Sequence, residues 1–424
     1  MSIFNLKIKN IQIRLTALKK TGLSSLFVLM KNYKYYGLFF LTLINKNNVF
    51  VLANGAIGHY PINFFLSLCM YENNTIYAFK SNIHFANSFL VKKLKETYNF
   101  DQKYEKVYEI REAISVLSLG LFKFNNFPEH MYFSNHSLFS KEKFNNKRLF
   151  NFNTLENKTG NEFLIKNKII KNKFVCLLVR NSEYYISMGN VLREKNFNQY
   201  KNVDPKSFIP SIEYLINEGY HVLRMGKGFT EAFPYKHEKF IDYAVSKDRS
   251  DFLDIWLAAN CNFYLSTSSG IGALPIVFNK PCLFVNLFPI GRLQSWLPKT
   301  MYVFRNAIKD KKILNVKELI EHDLIGNFNG EYYKKIGVTI LENTSDEILK
   351  STIELQNKIK NGFLVSDLNT KYWKLLKKNW QTHLIPNNSV TGNKKFNDFH
   401  NMNNIQTNIS DFFLEKYKKT YIEY

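Results

Sequence analysis

A hydroxyl- and glycine-rich segment separates two apolar runs in the second half of the chain. Phe263–Leu265 forms the first run, and the second begins at Pro281. This order predicts a strand, a tight loop, a short helix and another strand. Such a loop directs backbone N–H groups, hydroxyls and a helix N-terminus at one point, which suits a phosphate or a carboxylate. The residues of this candidate phosphate loop are Ser266, Thr267, Ser268, Ser269 and Gly270.

The alternative for this loop is a strand-to-helix connection without a ligand. In that case Gly270 and Gly272 would serve only close packing, because a glycine lets neighbouring backbone approach. The sequence leaves both alternatives open.

Two more polar positions follow predicted strands. Arg180 comes after the apolar run Phe174–Val179, and Gly226 with Lys227 comes after His221–Met225. In doubly wound parallel sheets, ligands bind beyond the carboxyl ends of the strands. We therefore expect these residues to share one rim with the phosphate loop. The alternatives are that Arg180 is a surface charge at a strand end and that Lys227 is one of many surface lysines.

A glycine turn in the first half ends another predicted strand. It contains Asn54, Gly55, Gly58 and His59, and it matches neither a dinucleotide fingerprint nor a Walker loop. A histidine delivered by such a turn suits a general base or a ligand of an acceptor hydroxyl. The alternative is a capping or packing histidine.

Carboxylates offer other candidates for the base. They are Glu183, Asp251 and Asp254, although the two aspartates also suit the first turn of a helix beginning after Ser250. We find no Asp-x-Asp pair and no metal-ligand spacing among the nine histidines. Chemistry at this site is therefore expected to proceed without a metal, with charge stabilised by Arg, Lys and the helix dipole.

Alternating helix and strand patterns position these residues. In the first half, they predict strands at Val49–Ala53, Thr75–Phe79 and Val107–Ile110, with helices at Pro61–Met70 and Phe85–Thr97 between them. This βαβαβ order is typical of a parallel sheet.

The second half repeats the alternation. The helix Pro205–Asn217 carries an apolar stripe and is closed by Gly219, Ser250 caps a second helix, and Tyr302–Phe304 adds a strand. Helical patterns follow, at Leu314–Glu321 and Ser345–Lys360. The fold class is therefore α/β, and the aperiodic stretch at about 128–171 is the predicted linker between two α/β domains.

Composition restricts the class of protein. The chain has 424 residues, 45% of them hydrophobic, and a formal net charge of +23. This charge has two explanations: the codon bias of an AT-rich genome, or attraction to an anionic partner such as a membrane, a nucleotide or an acidic glycan. No arginine cluster typical of nucleic-acid binding is present, so no nucleic-acid partner is expected. Four well-separated cysteines predict buried free thiols.

The N-terminus carries lysines and an arginine before two apolar runs, Leu23–Met30 and Gly37–Ile44. Each run is too short to span a bilayer, and no signal-peptide cleavage site follows. Two possibilities stay open: helices that pack on the fold, or a basic amphipathic segment that lies on a membrane surface.

In this order, the pieces of residues 48–290 resemble a family of bacterial glycosyltransferases from surface-polysaccharide loci. They include Gly55-x-x-Gly58-His59, the strand before Arg180, the run Gly219–Gly226, Ser250–Asp254 and Ser266–Pro281. More distantly they are similar to GT-B enzymes such as heptosyltransferases. The resemblance implies two Rossmann-like doubly wound domains that face each other across a cleft, followed by C-terminal helices.

The resemblance also implies roles for the domains. Residues 46–160 would form the acceptor domain and residues 161–310 the nucleotide-sugar domain. They would be flanked by a basic N-terminal segment (1–45), C-terminal helices (311–385) and a loosely ordered Asn-rich tail (386–424). Arg180, Gly226, Lys227 and Ser266–Gly270 would hold the donor phosphates, and His59 would face the acceptor.

The expected function is transfer of a sugar from a nucleotide-sugar to a cell-surface glycan or lipid-linked acceptor. No cofactor beyond the donor is expected, and the expected location is cytoplasmic, with a peripheral contact at the inner membrane left open. The alternatives are a nucleotide-sugar epimerase of similar shape, which would need several acidic residues in the cleft, and a non-enzymatic polyanion-binding protein.

Overall fold

A computed structural model describes residues 3–52, 57–71, 75–80, 86–119, 121–122, 147–187, 189, 194, 198–267, 269–294, 296–382 and 407–424. The chain divides into two compact units, Met1–Met131 and Tyr132–Tyr424. The predicted domain boundaries within these units stay predictions.

The first unit begins with two helices and continues with α/β structure. Its elements are α1 (Ile3–Lys31), α2 (Tyr36–Ile44), β1 (Asn48–Leu52), α3 (Tyr60–Met70), β2 (Thr75–Phe79), α4 (Ser88–Thr97) and α5 (Tyr104–Leu117). β1 and β2 pair in parallel, with Asn48 opposite Thr75 and Leu52 opposite Phe79. Both strands are buried on both faces, which explains why they read as continuous apolar runs.

The predicted strand Val107–Ile110 is wrong, because these residues lie inside α5. Four apolar residues in a short window resemble a strand. Over the whole segment, however, the buried residues Tyr104, Val107, Tyr108 and Ile110 alternate with charged residues at helical spacing. Beyond the β1–β2 pair, the described part of this unit contains one more parallel contact, an isolated bridge between Tyr77 of β2 and Phe100.

The second unit is built on one large parallel sheet. Its helices are α6 (Thr154–Lys166), α7 (Glu183–Ser187), α8 (Ile209–Asn217), α9 (Asp251–Asn260), α10 (Ala273–Val277), α11 (Val316–Glu321), α12 (Gly330–Lys335), α13 (Ser345–Asn361), α14 (Asp367–Thr382), α15 (Asp411–Lys416) and α16 (Lys418–Tyr421). Its strands are β3 (Phe174–Leu178), β4 (His221–Arg224), β5 (Phe240–Ile241), β6 (Phe263–Thr267), β7 (Cys282–Leu287), β8 (Thr300–Phe304), β9 (Ala307–Lys309), β10 (Lys312–Ile313), β11 (Thr339–Ile340) and β12 (Asn408–Ile409).

The order of strands in the seven-stranded sheet is β12-β8-β7-β6-β3-β4-β5, and every pair is parallel. From β5 to β8 this is the doubly wound Rossmann order 3-2-1-4-5-6, with β12 as an added seventh strand. A small antiparallel sheet, β10-β9-β11, lies apart from it. The α/β prediction for this unit is confirmed, whereas the arrangement of two domains across a cleft stays a prediction.

Local signals predict two helix ends in this unit. The Ser250 hydroxyl accepts a hydrogen bond from the Leu253 amide, as a helix N-cap does. Gly219 follows α8 with a φ of +84°, which ends that helix in the left-handed conformation that glycine favours. The stripe of Phe208, Ile212 and Leu215 is fully buried, as predicted.

Two regions are more ordered than their sequence indicated. Within the expected linker, α6 begins with a capping box formed by Asn153 and Glu156. In the expected loose tail, residues 383–406 lie outside the described residues, but 407–424 belong to the core. There β12 pairs with β8, and Phe413 and Tyr421 are buried.

The four cysteines are buried and free, as predicted. None of the described helices is long and apolar enough to cross a membrane.

Candidate functional site

The candidate site lies at the carboxyl edge of the large sheet, where the strand order reverses between β3 and β6. In the chain, β3 is followed by β4 on one side, while β6 and the later strands extend on the other side. At such a switch point the connections leave in opposite directions, which opens a crevice above the strand ends. The residues that follow β3 and β6 therefore line the place where a doubly wound sheet binds its ligand.

The first two residues of the phosphate loop hold the two strands together. The Thr267 hydroxyl oxygen accepts a hydrogen bond of 2.9 Å from the Arg180 amide and donates one of 3.4 Å to the Leu178 carbonyl. The Ser266 hydroxyl donates to the Thr267 carbonyl at 2.8 Å. Because both side chains are buried, they shape the edge of the crevice and do not present hydroxyls to it.

The other residues of the loop precede α10. Ser268 lies outside the described residues. Ser269 has an extended backbone and makes no capping bond to the turn of 3-10 helix at Gly270–Gly272, which leads into α10. A Cβ at Gly272 would lie 2.8 Å from the Phe284 ring. Close packing therefore explains Gly272, as the alternative for this loop anticipated, while Ser269 and Gly270 remain at the rim.

Arg180 is held inside the protein. Its side chain is 5% exposed, and one guanidinium nitrogen lies 2.6 Å from a carboxylate oxygen of Glu194, which is also buried. A second nitrogen donates to the Asn202 side-chain oxygen at 2.5 Å. The alternative of a surface charge at a strand end is therefore wrong for Arg180, whereas its predicted role at the donor phosphates stays a prediction. Arg180 joins β3 to the segment before α8, at the base of the crevice.

Sequence reasoning missed Arg305, which follows β8 at the same edge. Within the described residues it forms no ion pair. Its guanidinium donates instead to the backbone carbonyls of Asn286, Lys201 and Asn202, at 3.3, 3.4 and 2.8 Å. Burial lowers the pKa of Arg305 to about 10, so it stays protonated at neutral pH. A signal was present, because Arg305 directly follows a predicted strand, as Arg180 does.

Asn202 connects these two arginines: its side chain accepts from Arg180 and its backbone carbonyl from Arg305. The side-chain nitrogen of Asn286 is buried and lacks a hydrogen-bond partner within the described part of the chain. The edge beyond β7 and β8 thus combines a buried positive charge with an unused N–H donor. Both features favour an anion nearby.

The end of β4 supplies Gly226 and Lys227. Gly226 has a φ of +143°, and a Cβ there would lie 2.2 Å from the Phe229 ring, so only glycine fits. Its carbonyl accepts from Arg249 at 3.1 Å. The Lys227 side chain is 44% exposed, and its ammonium lies 3.7 Å from Asp251. Lys227 is thus the cation of this rim most accessible to a ligand among those that sequence reasoning named.

Two of the three alternative catalytic carboxylates, Asp254 and Glu183, already bind neighbouring groups. Asp254 is buried, accepts a hydrogen bond from Tyr243 at 3.1 Å and lies 2.5 Å from Arg249. Burial raises its pKa to about 6. Glu183 accepts from the Asn181 amide with one oxygen and from the amide and hydroxyl of Thr230 with the other.

The remaining predicted residues belong to the first unit. Asn54 and Gly55 lie outside the described residues, and Gly58 is half-buried in a turn. His59 directly precedes α3, and its carbonyl accepts from the Asn63 amide at 3.0 Å. Its side chain makes no capping bond to the helix, so the capping alternative is not what this structure shows.

No cluster of three or more His, Cys, Asp or Glu residues that could hold a metal ion occurs in the part of the chain that the structure describes.

Comparison with known proteins shows a distant structural similarity. No family model and no curated protein matches the chain. Among solved structures, it is similar to the crystal structure of the glycosyl transferase family 9 from Veillonella parvula DSM 2008, with a TM-score of 0.39 and 9% sequence identity. The similarity covers 73% of this chain and 96% of that chain. At this TM-score and identity, the neighbour does not establish a fold or an activity for this protein.

Proposed function

We propose that this protein is a glycosyltransferase that uses a nucleotide-activated sugar. The observation that carries the proposal is the Rossmann-ordered sheet whose switch point lies between Arg180 and the loop after Thr267. Sheets of this order bind nucleotides at that point, and phosphates bind where backbone N–H groups converge.

The rim supports binding of the donor phosphates. Ser269 and Gly270 offer a hydroxyl and backbone at the mouth of the crevice, and Lys227 offers an exposed ammonium. Arg305 and Arg180 provide positive charge from below, although Glu194 neutralises Arg180. In this role the arginines act through the electrostatic potential, because their guanidinium groups are bound to the protein itself.

The chemistry follows from where charge develops. The bond between the anomeric carbon and the donor phosphate oxygen breaks, and the electron pair leaves with the nucleotide. The acceptor oxygen forms the new bond to that carbon and loses its proton to a base. Positive charge at the rim would stabilise the leaving phosphate without a metal.

His59 remains the proposed base. Asp254 is buried in contact with Arg249, and Glu183 already accepts three hydrogen bonds, so neither carboxylate presents an open oxygen. Asp251 stays as the second choice, because it lies 3.7 Å from both Lys227 and Arg249 at the rim. The proposed acceptor is a cell-surface glycan or a lipid-linked sugar, and the proposed location is cytoplasmic.

A thermal-shift screen with UDP, GDP, ADP, CMP and dTDP tests the proposal. A ligand that binds only the folded state stabilises it by about 2.7 kcal/mol at a hundred times its Kd. We expect one nucleotide to raise the midpoint of the second unit well above the others. If all five leave the midpoint unchanged at millimolar concentration, the proposed donor site is wrong.

A substitution at His59 tests the base separately. We expect His59→Ala to lose about 10²–10⁴-fold in turnover, the usual contribution of a general base, and to keep the nucleotide affinity of the wild type. His221→Ala is unsuitable as a control because His221 is buried in β4, whereas the more exposed His237 offers a matched change. Turnover that survives in His59→Ala would move the role to Asp251.

A further inference from the structure

Large apolar side chains are exposed along α1 and α2 of the first unit. Leu23 is 86% exposed, Met30 is 74% exposed and Ile44 is 73% exposed. Six further side chains each expose more than a third of their surface: Leu15, Leu26, Phe27, Tyr33, Phe40 and Leu41. Soluble proteins rarely expose so many large apolar groups on consecutive helices, and such patches mark interaction surfaces.

The patch on α1 is a face of its own. Three residues at a spacing of three and seven are buried: Gly22, Ser25 and Asn32. The Asn32 side chain donates a hydrogen bond to Glu109 of α5. That side of α1 packs on the fold. Leu23, Leu26, Phe27 and Met30 instead project within about 100° of one another on a helix of 3.6 residues per turn, away from the packed side.

Helix α2 is apolar on two sides. Phe39 and Thr42 are buried in the core, while Phe40, Leu41 and Ile44 form an exposed stripe at spacing i, i+1, i+4. A helix that is apolar all round normally has both sides covered. The outer stripe of α2 is therefore a second uncovered apolar face, which favours an apolar environment.

The charge that α1 and α2 themselves contribute has a single sign, while Glu109 and Glu112 of α5 lie beside Thr21, Ser25 and Val28, on another side of α1. Residues 1–46 contain eight basic residues and no acidic ones, and the first acidic residue of the chain is Glu72. An even spread of 35 acidic residues over 424 would place about six among the first 71. Codon bias does not explain this, because it raises lysine throughout the chain without removing acids from one segment. The lysines described beside the apolar face are Lys19, Lys20, Lys31 and Lys34.

We infer that α1 and α2 form a docking surface for an anionic phospholipid bilayer. The apolar side chains would lie at the boundary between headgroups and acyl chains, with the lysine stems along them and the ammonium groups on lipid phosphates. Each lysine near an anionic surface contributes attraction that salt screens. A protein partner would satisfy the apolar stripe, but it would not account for the complete absence of acidic residues from the segment.

Co-sedimentation of the full chain with vesicles tests the inference. The vesicles contain phosphatidylglycerol and phosphatidylcholine at 30:70, or phosphatidylcholine alone. We expect binding to the anionic vesicles, with weaker binding to neutral vesicles and at higher salt. Leu23→Ser, Phe27→Ser and Met30→Ser combined should reduce binding at least about tenfold, because three apolar side chains lose their transfer free energy.

A triple variant of the second unit is the matched control. Leu155, Ile165 and Leu364 are 71%, 76% and 77% exposed, and their change to Ser should leave vesicle binding unchanged. Both triple variants should keep the far-UV circular dichroism of the wild type. Equal loss in the two variants, or none in either, would overturn the inference.

Charge is tested with a matched pair of double variants. Lys31→Glu with Lys34→Glu and Lys371→Glu with Lys374→Glu change net charge by the same amount, at the same spacing and on exposed lysines. Only the first pair should lose the preference for anionic vesicles. If the wild type ignores vesicles but forms a dimer that the apolar triple variant abolishes, the surface is an interface between copies and the lipid inference is wrong.

Discussion

Charged side chains are buried at the carboxyl edge of the large sheet. On the outer face of α1 and α2 they are exposed, together with apolar side chains. At the sheet edge, Arg180 is buried with Glu194, and Arg305 is buried among carbonyls. On α1 and α2, apolar side chains and lysines are exposed together. Buried charges that are held in place can organise a site for a small anion, whereas exposed mixed surface is suited to a large partner. The two regions thus use positive charge in two different ways.

The largest expected effect concerns the buried ion pair. Glu194→Ala leaves the Arg180 guanidinium buried without its carboxylate, which typically costs about 3–5 kcal/mol. Urea unfolding of the second unit measures it. Asp248→Ala, which breaks an exposed pair with Lys166, is the control and should cost less than about 1 kcal/mol. Similar losses in both variants would remove the distinction between the two kinds of charge.

Two neighbouring phenylalanines of α2 test the exposed face. Phe39 is 3% exposed and Phe40 is 60% exposed. Phe39→Ala should destabilise the first unit by about 3–5 kcal/mol, because it leaves a cavity in the core. Phe40→Ala should change the free energy of unfolding by no more than about 0.5 kcal/mol. A large loss of stability in Phe40→Ala would show that the outer stripe supports the fold, and it would contradict the inferred docking surface.

Gly226 tests how rigid the rim is. Gly226→Ala combines left-handed backbone strain with a Cβ 2.2 Å from the Phe229 ring. We expect a loss of about 2–4 kcal/mol. Gly337→Ala has a φ of +71° with no atom within 4 Å of the added carbon, so strain alone should cost about 1–2 kcal/mol. Equal costs in thermal or urea unfolding would mean that the turn after β4 yields easily.

The pH dependence of Asp254 separates burial from pairing. Burial raises its folded pKa from 3.8 to about 6, so the folded state binds this proton more tightly than the unfolded state does, and stability is lost as the carboxyl ionises. Relative to Asp254→Asn, the wild type should therefore gain stability as the pH falls from 7 to 4, by up to about 3 kcal/mol. If the wild type instead loses stability relative to Asp254→Asn as the pH falls, the pairing with Arg249 outweighs the cost of burial.

Much of the second unit could be predicted because its strands are buried on both faces. Such strands read as short apolar runs, and β3, β4, β6 and β7 were found this way. Ser250 and Gly219 identified helix ends because their chemistry is local. The strand predicted at Val107–Ile110 was wrong because four residues do not separate a strand from a buried helix face.

Contacts between distant segments could not be predicted from the residues alone. β12 is two residues long and is a strand only because β8 lies beside it. The pairing of Arg180 with Glu194, fourteen residues later, depends on a fold that brings Glu194 to the carboxyl end of β3. The candidate site was placed at strand ends only by a rule of doubly wound sheets and stays a prediction, while the contacts of its side chains needed the tertiary structure.

Calorimetric titration of the best nucleotide into three proteins tests the central claim most directly. Ser269→Asp places a carboxylate where the donor phosphate is proposed to bind, and Thr370→Asp adds the same charge on α14, next to Asn369, which bonds to the edge strand β12. We expect saturable binding to the wild type and to Thr370→Asp, with at least about a tenfold weaker affinity for Ser269→Asp because like charges repel. Equal affinity in all three proteins would contradict it.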